Sequence, residues 1–264
     1  MHYTKAKSEK KSCSALWGFT LAEVLITLGI IGIVAAMTIP TLVSNYQKTQ
    51  YVTSLKKAYT EFNQVLSKIS SDSGCVNDLK CSGLFANGTN NSTLGSELVK
   101  HFSLAKNCDT SINKGCWPAL TNISYDGSFT GTNRTFDKEL FYKFVTADGV
   151  SFAVGNYAGN CETPGYSTGR TGHMSQTCGF LYIDVNGLKS PNFIGRDTFM
   201  FWITNGRGAI LYPHGGSDAN WNGSDVGDNW WRNSSNIPRL CVVSSKIGTP
   251  CSGRIIEEGW QMNY

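Results

Sequence analysis

The sequence predicts an α+β protein in which a long N-terminal helix, apolar in its first half and amphipathic in its second, packs on an antiparallel β-sheet head with disulfide-closed loops. Three observations carry this reading. Residues 18–43, GFTLAEVLITLGIIGIVAAMTIPTLV, form an apolar run with a single charge, Glu23. Beyond it, Tyr51, Val52, Leu55, Ala58, Tyr59, Phe62, Val65, Leu66 and Ile69 recur at three- and four-residue steps, the period of a helix with one covered face. Farther on, Asp148-Gly149 and Asn205-Gly206 each lie between two β-prone stretches, a hairpin signal.

The apolar run comes first. Phe19 to Val43 would extend about 38 Å as a helix at ~1.5 Å per residue, enough for a hydrocarbon core of ~30 Å. A carboxylate within such a span costs a few kcal/mol, so Glu23 is expected to face a protein partner, a polar group or the interface. Lys5, Lys7, Lys10 and Lys11 against Glu9 make the preceding flank basic, which holds that end in the cytoplasm and sends the chain after Val43 outward. A secretory signal would carry its small-residue cleavage site after a shorter apolar core. Ala35-Ala36-Met37 is a poor version of that site, and the small residue Gly18 stands before the run.

This arrangement resembles the type IV pilin and type II secretion pseudopilin superfamily. The resemblance rests on Gly18, Phe19-Thr20-Leu21, Glu23, the apolar stretch and Pro40. It implies cleavage after Gly18 by a prepilin peptidase, N-methylation of Phe19, and pairing of Glu23 with the N-terminal amine of a neighbouring subunit. The implied division is a leader at 1–18, a transmembrane and filament-core helix at 19–43, and a continuation of the helix with an extracytoplasmic head at 44–264. The implied partners are the peptidase, other pilin or pseudopilin subunits, the inner-membrane assembly machinery and membrane lipid before assembly. The implied location is the cytoplasmic membrane, single-pass, followed by a pilus or pseudopilus. A leader of 18 residues is longer than the shortest in the superfamily and leaves the subfamily open.

Composition changes meaning with that cut. The whole chain is +4, but the leader's four lysines and one glutamate leave the processed chain near +1, so no global basic field points to nucleic acid. Loss of Cys13 turns nine cysteines into eight, and an even number in an exported domain reads as disulfides. Eight cysteines allow 105 connectivities. They fall as close neighbours, so the preferred pairing is Cys75 with Cys81, Cys108 with Cys116, Cys161 with Cys178, and Cys241 with Cys251. No pair has CxxC spacing, which argues against zinc.

After the helix, residues 72–135 are rich in Ser, Asn, Gly and Thr, with a short helix expected from Ser96 to Ala105 and turns elsewhere. Five strands are expected: Leu140 to Thr146, Val150 to Val154, Phe180 to Val185, Thr198 to Thr204 and Ala209 to Tyr212.

Two stretches of the head offer ligand chemistry. Asp184 to Phe199 is similar to a DxNGxKxPNxxGxDxF segment of many pilin-like heads, and Cys251 through Trp260 to Tyr264 resembles their C-terminal ending. Asp184, Asn186, Asn192 and Asp197 are hard oxygen ligands of the kind calcium favours. The competing reading is that they close turns through Asx-type hydrogen bonds, with no cofactor. The segment Pro213 to Pro238 holds Trp221, Trp230 and Trp231 among Asp218, Asp225 and Asp228. These tryptophans either contact a sugar or partner or anchor the loop to its domain.

Signals for catalysis are weak. Gly165-Tyr-Ser167-Thr-Gly169 spells GxSxG, but in a Gly/Ser/Thr-rich stretch rather than a strand-to-helix turn. His101, His173 and His214 are isolated, and neither HExxH nor a phosphate-binding loop occurs. The expectation is therefore a structural filament subunit and not an enzyme. The alternatives are a minor-pilin adhesin or uptake receptor using the Trp-rich loop, and a signal-anchored enzyme acting through Ser167.

Overall fold

The computed structural model describes residues 18–86, 89–112, 114–117, 140–157, 159–165, 172–215, 241 and 248–264. The chain forms two compact units, Met1–Tyr46 and Gln47–Tyr264. Helix α1 spans Leu21–Asp72 and contains Pro40. In the first unit its side chains are exposed almost throughout, from Leu21 at 79% to Val24 at 41%. The helix is long and apolar enough to cross a membrane, with a mean hydropathy of 2.2 over its most apolar stretch.

In the second unit the helix becomes one-sided. Val52, Leu55, Ala58, Phe62, Val65, Leu66 and Ile69 are buried, and this stripe meets one face of a six-stranded antiparallel sheet. The strands are β1 (Leu104–Asp109), β2 (Tyr142–Thr146), β3 (Ser151–Asn156), β4 (Thr177–Asp184), β5 (Thr198–Thr204) and β6 (Ile210–Pro213), in simple sequential order. Phe144, Phe152, Val154, Leu181, Ile183, Phe199, Phe201 and Ile203 join the helix stripe in the main core. Phe62 lies 5.8 Å from Phe152, ring centre to ring centre, and Tyr59 lies 5.5 Å from Phe201. The alternate residues Ala153, Tyr182, Met200 and Trp202 point the other way and pack with Trp117, Phe141, Met174 and Ile194. Strand periodicity of two thus builds a core on each face.

Two elements differ from the sequence expectation. The short helix α2 is Asn91–Leu98, followed by a 3₁₀ turn at Val99–His101, not Ser96 to Ala105. It starts early because Asn90 caps it, its side chain accepting the Thr93 N–H at 2.8 Å. The residues after it become β1, an edge strand with two register irregularities against β2. The hairpin turn at Asp148-Gly149 closes through the Thr146 and Val150 backbone, with Gly149 at φ 88°. The β5–β6 turn carries Asn205, whose side chain accepts the Leu79 N–H at 2.7 Å and donates to Asp78 at 3.0 Å.

Four disulfides join neighbours in sequence: Cys75–Cys81, Cys108–Cys116, Cys161–Cys178 and Cys241–Cys251. The last leads into helix α3 (Cys251–Glu257), whose Ser252 hydroxyl donates to the Met200 carbonyl at 2.6 Å.

Candidate functional site

Two places gather functional chemistry. The first is the start of α1. Thr20 precedes the helix, and Glu23 occupies its first turn. The Thr20 N–H and hydroxyl both donate to Glu23 Oε2 at 2.9 Å, and the Glu23 N–H donates to Thr20 Oγ1 at 3.2 Å. This is a reciprocal capping box, which satisfies helix N–H groups that would otherwise lack partners. Glu23 therefore has a local structural role that the sequence reading did not assign. Gly18 and Phe19 lie just outside the helix, Phe19 at 86% exposure. On the stem, a Cβ added at Gly29 or Gly32 would meet nothing within 4 Å. The basic leader residues and Cys13 lie outside the described residues.

The second place is the β4–β5 connection, where Asp184, Asn186, Asn192 and Asp197 come together. Asp184 ends β4 and Asp197 immediately precedes β5, and both are fully buried. Asp184 Oδ1 accepts the Asn186 N–H at 3.2 Å, and its Oδ2 accepts the Thr198 hydroxyl at 2.9 Å. Asp197 accepts the backbone N–H groups of Asn192 at 2.8 Å and Phe193 at 2.7 Å, and the Asn186 side-chain amide at 3.2 Å. Asn192 thus serves Asp197 through its backbone. It adopts φ 53°, beside the cis bond Ser190–Pro191. Gly187, at φ 66°, has no room for a side chain: a Cβ there would sit 2.7 Å from the Gly149 carbonyl.

These contacts make turn-closing acids of the Asx type. They do not neutralise the buried charge. Burial and then the neighbouring Asp197 push the Asp184 carboxyl well above the usual carboxylate range, against the hydrogen bonds from Thr198, Asn186 and Gly187. Burial likewise raises Asp197, against its backbone hydrogen bonds. Tyr51 of α1, 3.5 Å from the Asn186 amide nitrogen, is raised by burial and by Asp197. Two oxygens in this neighbourhood, Ser151 Oγ and Asn186 Oδ1, are buried without a hydrogen-bond partner among the described residues. Among the described residues no group of three or more His, Cys, Asp or Glu side chains is placed to hold a metal.

The remaining sequence candidates are scattered or lie outside the described residues. His173 stacks on Tyr212, His214 stacks on Trp202, and His101 closes the 3₁₀ turn. Ser167, Trp221, Trp230 and Trp231 fall outside the described residues, as do Asp218, Asp225 and Asp228. Gly165 is described and lies tight against Met174. A groove between α1 and the β2–β3 turn, which no motif announced, is bordered by Lys57, Glu61 and Asp148, with Lys57 paired to Asp148 at 2.7 Å. Its residues are far apart in sequence and individually ordinary, so only the hairpin's return to the helix could have indicated it. Comparison of the chain with protein-family models, curated proteins and solved structures found no match.

Proposed function

We propose that this chain is a pilin-like subunit of a type IV filament or a type II secretion pseudopilus. It enters the cytoplasmic membrane as a single-span precursor and assembles through α1 after cleavage between Gly18 and Phe19. The observation that carries this reading is the exposed apolar stem with one acid, Glu23, in its first turn. So much exposed apolar surface requires a lipid or protein cover. Before assembly the cover is lipid; in the filament it is the stems of neighbouring subunits. Gly29 and Gly32, open on their outer sides, permit the close helix approach that small residues give in apolar surroundings.

Glu23 has two tasks in this reading. Its capping contacts to Thr20 hold the helix start, and its charge pairs with the amine that cleavage creates on Phe19 of a neighbouring subunit. The disulfide-closed α+β head faces outward and carries no catalytic task. Intact mass and N-terminal sequencing of membrane-extracted protein from the native host test the reading. A methylated chain starting at Phe19 is the expected result. A chain that keeps its leader in a host with active prepilin peptidase overturns it.

A further inference from the structure

The four bridges of the head differ in what can reach them. Cys108, Cys116, Cys161, Cys178, Cys241 and Cys251 are each 1% exposed or less, and the last four belong to the main core. Cys81 is exposed and Cys75 half-buried. Around this pair the surface is open: Val76 is 73% exposed, and a Cβ added at Gly74 or Gly83 would meet nothing within 4 Å. The segment that the bridge closes is nevertheless fastened without it. The Cys75 N–H donates to the Ser70 carbonyl at 2.8 Å, and the Cys81 N–H donates to Asp78 Oδ1 at 3.0 Å. Between them Leu79 is fully buried, its N–H on Asn205 Oδ1 at 2.7 Å, and the Asn77 carbonyl accepts the Ala209 N–H at 3.1 Å. Lys80 pairs with Glu162 at 2.7 Å.

We propose that Cys75–Cys81 is a site of reversible thiol–disulfide exchange with dithiols, the one bridge of the four that such a partner reaches in the folded chain. A thiolate must touch a disulfide sulfur to attack it, so exchange in the native state follows access. The dithiol's first thiolate bonds to the exposed Cys81 sulfur, the bond between Cys81 and Cys75 breaks, and Cys75 leaves as a thiolate that takes a proton from water. The dithiol's second thiolate then attacks its own sulfur in the mixed disulfide and releases Cys81. Two electrons pass to the bridge, and the dithiol departs as a disulfide. Because the segment stays fastened to Ser70, Asn205 and Ala209, both thiols remain close together, and the reverse reaction re-closes the bridge without unfolding the head. The buried bridges yield to the same attack only when the surrounding structure opens. The site lies within the second unit and does not depend on the filament reading.

The test uses the full-length, oxidised chain in detergent, with Cys13 blocked by N-ethylmaleimide and dithiothreitol as the dithiol. Released thiols are trapped with iodoacetamide and located by peptide mass. Cys75 and Cys81 are expected to be trapped together, at least about tenfold faster than any other cysteine of the head, while unfolding of the chain reduced at this bridge stays cooperative. Removing the reductant and adding oxidised glutathione should restore the bridge. In denaturing urea the preference should disappear, because burial no longer shields the other three. Reduction of another bridge at an equal or faster rate in the folded chain overturns the proposal. So does loss of cooperative unfolding when Cys75–Cys81 alone is open, failure of the bridge to re-form, or a preference that persists in urea.

Discussion

Thr20 and Glu23 cap each other across the first turn of α1: the Thr20 N–H and hydroxyl donate to the Glu23 carboxylate, and the Glu23 N–H donates back to Thr20 Oγ1. Local capping and the proposed intersubunit pairing are therefore separable by mutation. Glu23→Gln keeps a residue type that completes a capping box but removes the charge. Thr20→Ala removes the cap and leaves the charge. If the charge guides assembly, Glu23→Gln abolishes sheared filaments while membrane levels stay normal, and Thr20→Ala only lowers filament yield. Quantifying sheared and membrane fractions in the native host checks this. Equal loss in both variants would assign the residue to the cap.

A second relationship closes an open sheet edge. Leu211 of β6 turns its N–H toward α1, where Asn63 Oδ1 accepts it at 2.8 Å, and its carbonyl accepts the Tyr59 hydroxyl at 3.2 Å. An edge strand covered in this way is not a template for another chain. Asn63→Ala leaves a buried backbone donor without its partner and should cost about 1–3 kcal/mol. Asn63→Asp keeps the acceptor and should cost less. Urea unfolding midpoints at constant slope measure both, and equal losses would contradict the role of the Leu211 N–H.

The buried acid pair sets a pH dependence with a definite sign. Asp184 and Asp197 titrate above the usual carboxylate range in the folded chain, so over that window the folded state holds protons that the unfolded state has released. Stability then falls as pH rises through that window, and acidification within it stabilises the head. Asp78, held low chiefly by the Cys81 N–H, acts in the opposite sense, but only at lower pH, below its unfolded value. The urea midpoint should therefore rise as pH falls within that window. Asp184→Asn should flatten that rise; an unchanged slope would remove Asp184 from the account.

Much of this architecture was legible in the sequence because it repeats with a clear period. The α1 stripe from Val52 to Ile69 and the turns at Gly149 and Asn205 announced the helix and two hairpins. Strand β1 did not, because Leu104–Asp109 is an edge segment with an exposed middle and register breaks, lacking β-branched residues. The early start of α2 depends on one capping side chain, Asn90. Thr20-x-x-Glu23 spells a capping box in plain text, yet the apolar run around it directed attention to a distant partner. In the acid cluster, Asp184 to Asp197 could be read as a single segment. Ser151, which stands opposite Asp184, is brought there by strand register.

The disulfides should differ in value according to loop length and burial. Cys161–Cys178 spans 17 residues and both sulfurs are buried, whereas Cys75–Cys81 spans 6 and lies nearer the surface. Loop-closure entropy alone makes the longer bridge worth about 1 kcal/mol more. Paired alanine replacement should therefore lower the unfolding temperature more at Cys161 and Cys178 than at Cys75 and Cys81. Thermal unfolding of the two double variants provides the comparison, and the reverse order would show that local strain outweighs the chain-entropy effect.

Gly95 reverses an ordinary rule of helix stability. In an exposed helix interior, alanine is better than glycine by about 1 kcal/mol. Gly95 instead lies buried in α2 under the Tyr142 ring, where an added Cβ would stand 1.8 Å from Tyr142 Cγ. That ring cannot simply turn aside: Tyr142 is 2% exposed, and its hydroxyl accepts the Asn107 side-chain amide at 2.9 Å. Overpacking typically costs about 1–3 kcal/mol, enough to cancel the propensity gain and leave a net loss. Gly95→Ala should thus destabilise the head, while Gly95→Ala combined with Tyr142→Leu should recover part of the loss by making room for the methyl group. Urea midpoints of the single and double variants test this, and a Gly95→Ala chain more stable than the wild type would mean that α2 can shift away from β2 at little cost.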